Sequence, residues 1–82
     1  MILHLDVITP VKTLYSAPIR LVTVPGLNGS FTLLNDHAPI ISILTKGIVT
    51  AVGQDGSERV FECKRGVVEC KENRVVVLIE KS

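Results

Sequence analysis

Turn-forming residues break this chain about every 8 to 12 residues, and the runs between them are short, aliphatic and β-branched, the pattern of an all-β sandwich or barrel. The same punctuation excludes a helix of useful length. Pro10, Pro18, Pro25-Gly26-Leu27-Asn28-Gly29, Pro39, Gly47, Asp55-Gly56 and Gly66 leave no long segment with apolar residues at helical spacing. Hydrophobic residues make up 46% of the chain but aromatic ones only 4%, so the core has to be built from Val, Ile and Leu. With 82 residues, the chain is read as one domain spanning 1–82. Its net stability is expected to be on the order of 4 to 12 kcal/mol, so support from a partner surface is in keeping with its size.

Strict alternation in Leu3-His4-Leu5-Asp6-Val7 places Leu3, Leu5 and Val7 on one face of a strand. Leu14 to Ala17 is a short extended piece that Pro18 confines to an edge or crossover, and Ile19 to Val24 is the next strand. Strands over Ser30–Leu34, Ile40–Leu44, Ile48–Val52, Arg59–Cys63, Val67–Cys70 and Arg74–Ile79 follow. Asp55-Gly56 is the pair favoured in two-residue type I′ loops, which would set Val52 opposite Arg59 and Thr50 opposite Phe61. A tight hairpin around Arg65-Gly66 would set Cys63 opposite Val68 and Cys70 opposite Phe61. Both cysteines are expected to be free and to serve as small buried apolar side chains.

The polar cluster in Ser30 to Gly47 is the one framed on both sides by apolar runs. Its corner, Asn35 to Pro39, holds Asp36 and His37. Adjacent side chains on an extended segment point apart, and no Ser or Cys is placed beside these two, so catalysis is not expected. The residues predict instead an Asp36 side chain capping the turn and a His37 ring donating to a nearby carbonyl. Ile40-Ile41-Ser42-Ile43-Leu44 is apolar on both faces apart from Ser42, which predicts a strand that is buried twice or docked.

Other chemistries lack their parts. His4, His37, Cys63 and Cys70 are too dispersed for a metal site, and Gly26 and Gly29 feed no helix that would hold a phosphate, so no cofactor is expected. A formal charge of +1, with no basic run and no Trp, gives nucleic acid nothing to hold. Met1 leads straight into an apolar/polar alternation without a basic stretch or a small-residue cleavage site, so no leader is expected, and no apolar run reaches the ~18 residues that span a bilayer. Lys46 beside Gly47 raises a biotinyl or lipoyl carrier domain as an alternative, although its neighbours are not the Met-Lys-Met or Asp-Lys-Ala of such carriers. A free-standing ligand-binding sandwich is the other alternative.

Leu3 to Val7, Gly29 to Leu34 and His37-Ala38-Pro39-Ile40-Ile41 resemble the epsilon subunit of bacterial F-type ATP synthases. The match continues in register through Lys46-Gly47-Ile48-Val49, Arg65-Gly66-Val67-Val68-Glu69 and Asn73 to Leu78, and so covers essentially the whole chain. The resemblance implies a flattened β-sandwich of about ten short strands. It implies a non-catalytic rotor subunit of the central stalk that couples rotation of the c-ring to the gamma subunit during ATP synthesis in a proton-translocating enzyme. Such a subunit is peripheral, on the cytoplasmic side of the inner (plasma) membrane, and does not insert into the bilayer. Position by position, Thr9, His37 and Ser42 match gamma-facing residues, and Ile41 joins them on the apolar strand. Leu27, Asn28, Gly29 and Ser30, with Asn35 and Asp36, match loops that approach the polar loops of the c-ring. Ser30 replaces an acidic residue common in relatives, and Asn35-Asp36 replaces a common Pro-Gly. Relatives often continue into two helices that restrain ATP hydrolysis and sometimes bind ATP; with the chain ending at Ser82, neither autoinhibition nor an ATP site is expected.

Overall fold

The computed structural model describes residues 2–81, and every regular element in them is a strand. In chain order these are β1 (Leu3–Ile8), β2 (Thr13–Gly26), β3 (Gly29–Leu33), β4 (Ile40–Leu44), β5 (Gly47–Gly53), β6 (Glu58–Cys63), β7 (Arg65–Lys71) and β8 (Arg74–Glu80). Eight strands replace the ten implied by resemblance, partly because the pieces on either side of Pro18 are one strand of 14 residues. Pro18 is tolerated there because the first half of β2 is an edge, paired to β1 alone, and needs no donor on its other side.

β2 organises the sandwich. Its first half pairs with β1, and its second half pairs with β5 and β3. The ladder therefore folds over into two layers that share β2: β2-β1-β8-β7-β4 and β3-β2-β5-β6. The β1–β8 pair is parallel and the others are antiparallel, while β4 returns to β2 through a single partner pair, Gly26 and Leu44. Alternation does the rest: Leu3, Leu5 and Val7 of β1 meet Val75, Val77 and Ile79 of β8, and Val22, Val24 and Val49 from the second layer, all with no exposed surface.

Two expected registers are corrected. In the β5–β6 hairpin Val52 lies opposite Glu58, Thr50 opposite Val60 and Val49 opposite Phe61, one residue away from the two-residue loop. The loop has three residues: Gly56 N–H donates to Gly53 O (3.0 Å), Gly53 N–H donates to Ser57 O (2.8 Å), and Gly56 alone takes a positive φ of 87°. A type I′ loop would need Asp55 at positive φ as well. Asp55 instead accepts from the Ser57 N–H (3.0 Å) and the Ser57 hydroxyl (2.7 Å). The slip also satisfies the core, because it sets Phe61 and Cys63 on the inward face with Val49, where the other register would turn them out. The type I′ loop is found at Glu72-Asn73, with φ of 52° and 60° between the paired Lys71 and Arg74.

The second correction concerns Arg65-Gly66, which forms no hairpin. Lys64 N–H donates to Glu80 O (2.8 Å) and carries the chain from β6 in one layer to β7 in the other. Cys63 thus lies opposite Gly47, and Cys70 between Ile40 and Val75, so the expected pairings of Cys63 with Val68 and of Cys70 with Phe61 do not form. Both thiols are free and buried, and burial raises the pKa of each above the usual thiol value.

Candidate functional site

β4 has one wet face and one dry face, not two apolar ones. Ile41 and Ile43 point outward, 72% and 57% exposed, while Leu44 is buried and Ser42 is half-buried on the inward row with Val68. Cross-strand register extends the outward apolar surface. Ile43 lies opposite Val67, Val67 opposite Leu78, and Leu78 opposite Ile8, a stripe of aliphatic side chains across four strands. Val67 and Leu78 are each about two-fifths exposed. Charge flanks the stripe: Arg65 Nε lies 3.2 Å from Glu80 Oε2 along one side, and Asp6 lies 3.5 Å from His4 and 3.9 Å from Arg74 along the other. The outer face of the second layer carries a row of Thr32, Thr23 and Thr50, with the Thr23 and Thr32 hydroxyls 2.8 Å apart, and the row ends in the exposed Val60, with Ile48 on the same face.

The two long seams of the sandwich are also unequal. Along the β6 side, Tyr15 and Phe61 pack with ring centroids 5.8 Å apart, and the Arg59 guanidinium covers both rings at 5.2 and 5.8 Å. Along the other side the free edges of β3 and β4 leave a groove of about 540 Å³, lined by Leu27 to Phe31 and by Ile41, Ser42 and Ile43. Leu27 to Ser30 and Ile41-Ser42, matched by resemblance to two different partners, therefore share one groove.

The Asn35-Asp36-His37 corner lies beyond the far end of β3 from Gly29, a strand about 17 Å long at ~3.3 Å per residue. Asp36 has a positive φ of 61°, and its side chain does not cap its own turn. Instead Asp36 N–H donates to Asn73 Oδ1 (2.6 Å), and Asn73 Nδ2 donates back to Asp36 Oδ1 (3.1 Å). His37 does make its expected local bond, Nδ1 to Ala38 O at 2.8 Å. A carbonyl only accepts, so Nδ1 is the donor in this bond.

Thr9 ends β1 in a turn where its hydroxyl accepts from Val11 N–H (3.3 Å) and Lys12 N–H (3.1 Å). By register this turn sits at the Leu44 end of its layer and His37 beside the Ile40 end. Thr9 and His37 thus lie at the two opposite ends of the layer, while Ile41 and Ser42 both border the groove, Ile41 from the outer face and Ser42 from the inward row. Sequence reading passed over Val67, Leu78 and Asn73. The signal for the first two was present, since each alternates against a neighbour that must be core, Val68 and Val77.

Lys46 is exposed, but it joins β4 to β5, which are not paired, so it does not stand on a hairpin tip as a carrier lysine would. Among the described residues no three His, Cys, Asp or Glu side chains converge, and no helix is long and apolar enough to cross a membrane.

Comparison with known proteins agrees with this architecture. The ATP synthase, Delta/Epsilon chain, beta-sandwich domain family matches residues 2–82. The chain is 39% identical over 77 residues to the ATP synthase epsilon chain of Chlorobaculum tepidum, covering 94% of this chain and 88% of that one. It is 38% identical over 79 residues to that of Paracoccus denitrificans, covering 96% of this chain but about half (53%) of the relative's length. Among solved structures it superposes on a chain of the Euglena gracilis mitochondrial ATP synthase with a TM-score of 0.89 at 15% identity, covering 95% of this chain and 50% of that one, which shows a shared fold. A second match, at TM-score 0.79 and 16% identity, covers 99% of this chain and 65% of a chain in the central stalk and c-ring of the Tetrahymena thermophila mitochondrial ATP synthase. By sequence, topology and paired-layer architecture the chain belongs to the delta/epsilon β-sandwich family of ATP synthases, a family of accessory and not catalytic polypeptides.

Proposed function

We propose that residues 1–82 act as one unit in the central stalk of a proton-translocating F-type ATP synthase, binding the gamma subunit and the polar loops of the c-ring so that shaft and ring turn together. The observation that carries this reading is the in-register stripe of Ile43, Val67, Leu78 and Ile8 across four strands, continued by Ile41, on one outer face of the sandwich. An exposed aliphatic patch rimmed by charge is the physical form of a protein-docking surface. Support also comes from the relatives, which are named epsilon chains, and from the Tetrahymena match, a chain of a central stalk and c-ring assembly.

In this reading gamma covers the stripe, with Ile41 at its margin, Ser42 in the adjoining groove, and Thr9 and His37 at the two ends of the same layer. The exposed Leu27-Asn28-Gly29-Ser30 tip and the Asn35-Asp36 corner are offered to the c-ring. The unit works through contact, with no cofactor and no chemistry of its own. It is peripheral, on the cytoplasmic side of the membrane that holds the ring.

Size-exclusion chromatography of the chain with purified gamma subunit tests the reading. Co-elution as a stable complex is expected, and monomeric elution beside folded gamma overturns it. Intact mass of the native protein tests the carrier alternative, with an unmodified Lys46 expected.

A further inference from the structure

We propose that Asn73, in the turn between β7 and β8, is the positioning residue of the β3–β4 corner: its side-chain amide clamps Asp36 and so sets where His37 is presented to the gamma subunit. The inference rests on the reading of His37 as a gamma-facing residue. It adds a residue that does not itself meet the partner.

The corner has little to hold it. Leu34, Asn35, Asp36, Ala38 and Pro39 are all exposed, and the bonds from His37 N–H to Leu34 O (3.3 Å) and from Nδ1 to Ala38 O (2.8 Å) lie within the connection. These bonds shape the corner without placing it on the sandwich. Among the described residues, the hydrogen bonds that leave the corner are the reciprocal pair with Asn73, 37 positions away. Asn73 is itself anchored, because its carbonyl accepts from His4 N–H at 2.9 Å and its turn is closed by the paired Lys71 and Arg74. One residue therefore ties the corner to β1, β7 and β8.

The chemistry selects the side chain. A carboxamide offers one acceptor and one donor, which match the N–H and the carboxylate of Asp36. The turn alone does not require asparagine, since glycine meets a positive φ at least as well. Position 73 thus separates into a backbone role that glycine keeps and a clamping role that it loses.

Four variants read the clamp. Asn73→Gly preserves the turn and removes both bonds. Asn73→Asp preserves an acceptor but sets carboxylate against carboxylate. Asp36→Asn keeps the N–H and the acceptor oxygen. The exchange Asp36→Asn with Asn73→Asp restores both bonds: the residue 36 N–H still donates to residue 73, and donor and acceptor are reversed only between the two side chains. Two quantities are measured, hydrogen exchange at the residue 36 amide and affinity for purified gamma subunit, with the melting temperature as the control for folding. In Asn73→Gly and Asn73→Asp, exchange at residue 36 is expected to quicken about tenfold and affinity to fall about five- to tenfold, the scale of one lost hydrogen bond, with Asn73→Gly still folded and melting cooperatively, lower by no more than the roughly 4 to 8 °C that such a bond accounts for. Asp36→Asn and the exchanged pair are expected to stay within about twofold of the natural chain on both measures, well inside the effect of one such bond. Unchanged exchange in Asn73→Gly, or an exchanged pair no better than Asn73→Asp, overturns the clamp. Quickened exchange with unchanged gamma affinity overturns its role in docking. If the natural chain does not bind gamma, the central-stalk reading falls, and the role in docking falls with it. The exchange measurements alone then decide whether the clamp exists.

Discussion

Replacing Ile41 with lysine should separate docking from folding. Ile41 is 72% exposed and lies directly opposite Glu69 on β7. An ammonium at this site faces a carboxylate across the strand pair, whereas an aspartate would face like charge, so lysine is the substitution the free domain tolerates. The fold loses only the small part of the isoleucine that is already covered, and the expected change in stability is within about 0.5 kcal/mol. Docking loses more. Full burial of an isoleucine is worth about 1.5 to 3 kcal/mol, and nearly three-quarters of its surface is still uncovered in the free chain, which leaves about 1 to 2 kcal/mol for the partner to gain. That corresponds to roughly five- to thirtyfold in Kd, before the cost of stripping water from the ammonium is added. Isothermal titration with gamma subunit, beside a thermal melt of the free variant, measures both. A folded variant that binds as tightly as the natural chain would refute the assignment of this face. Ser42→Arg is a poorer probe, because Ser42 points inward beside Val68 and an arginine there would disturb packing as well as docking.

Three further outcomes are expected. Gly66→Ala directs a Cβ into the carbonyl oxygen of Leu78, with Ile79 Cα and Cγ2 at 3.2 Å, and should cost about 1 to 3 kcal/mol, read as a lower melting temperature. Glu72→Asn relieves a non-glycine residue held at φ 52° and should raise stability by about 1 kcal/mol, or roughly 4 to 8 °C in a domain of this size. The Ser57 hydroxyl and N–H hold the Asp55 carboxyl below its ordinary value of 3.8. Its contribution is therefore fully present above that pH and is lost as pH falls through the lowered value. Asp55→Asn should melt slightly lower than the natural chain at neutral pH, with the gap closing in strong acid. A gap that widens on acidification would contradict that sign.

The fold class was legible because Val, Ile and Leu at period two leave no other use for these segments, and the turn residues bound each one. Register was less legible, and the β5–β6 hairpin shows why. Asp55-Gly56 argues for a two-residue loop, while the pairing of Phe61 and Cys63 with Val49 and Gly47 on the inward face argues for three, and burial outweighs a turn preference. At Glu72-Asn73 the same balance acts without a turn signal, since neither residue is glycine and yet both take positive φ between strands whose cores demand that spacing. At the site, the apolar run of β4 was visible, but which of its residues face solvent depends on β7. The stripe depends on three partner registers that no local pattern contains. Asn73 was hidden for the same reason, because its partner lies 37 positions away.

The two seams bear on where a partner would dock. A sandwich this short must cover the edges of both layers, and unpaired edges are sites for unwanted pairing. On the β6 side the chain covers its own edge with Arg59, Tyr15 and Phe61. On the β3–β4 side it does not, and β4 is held by its ladder to β7 and by the single Gly26–Leu44 pair to β2. Four features meet at β4: Ile41 and Ile43 on the outer face, Ser42 in the groove, the Leu27 to Ser30 tip across it, and the clamped corner leading into Ile40. A partner that covers this strand would bury the stripe and shelter the open edge in one contact. In the proposed docking, the strand that the chain leaves with an open edge is the one a partner would complete.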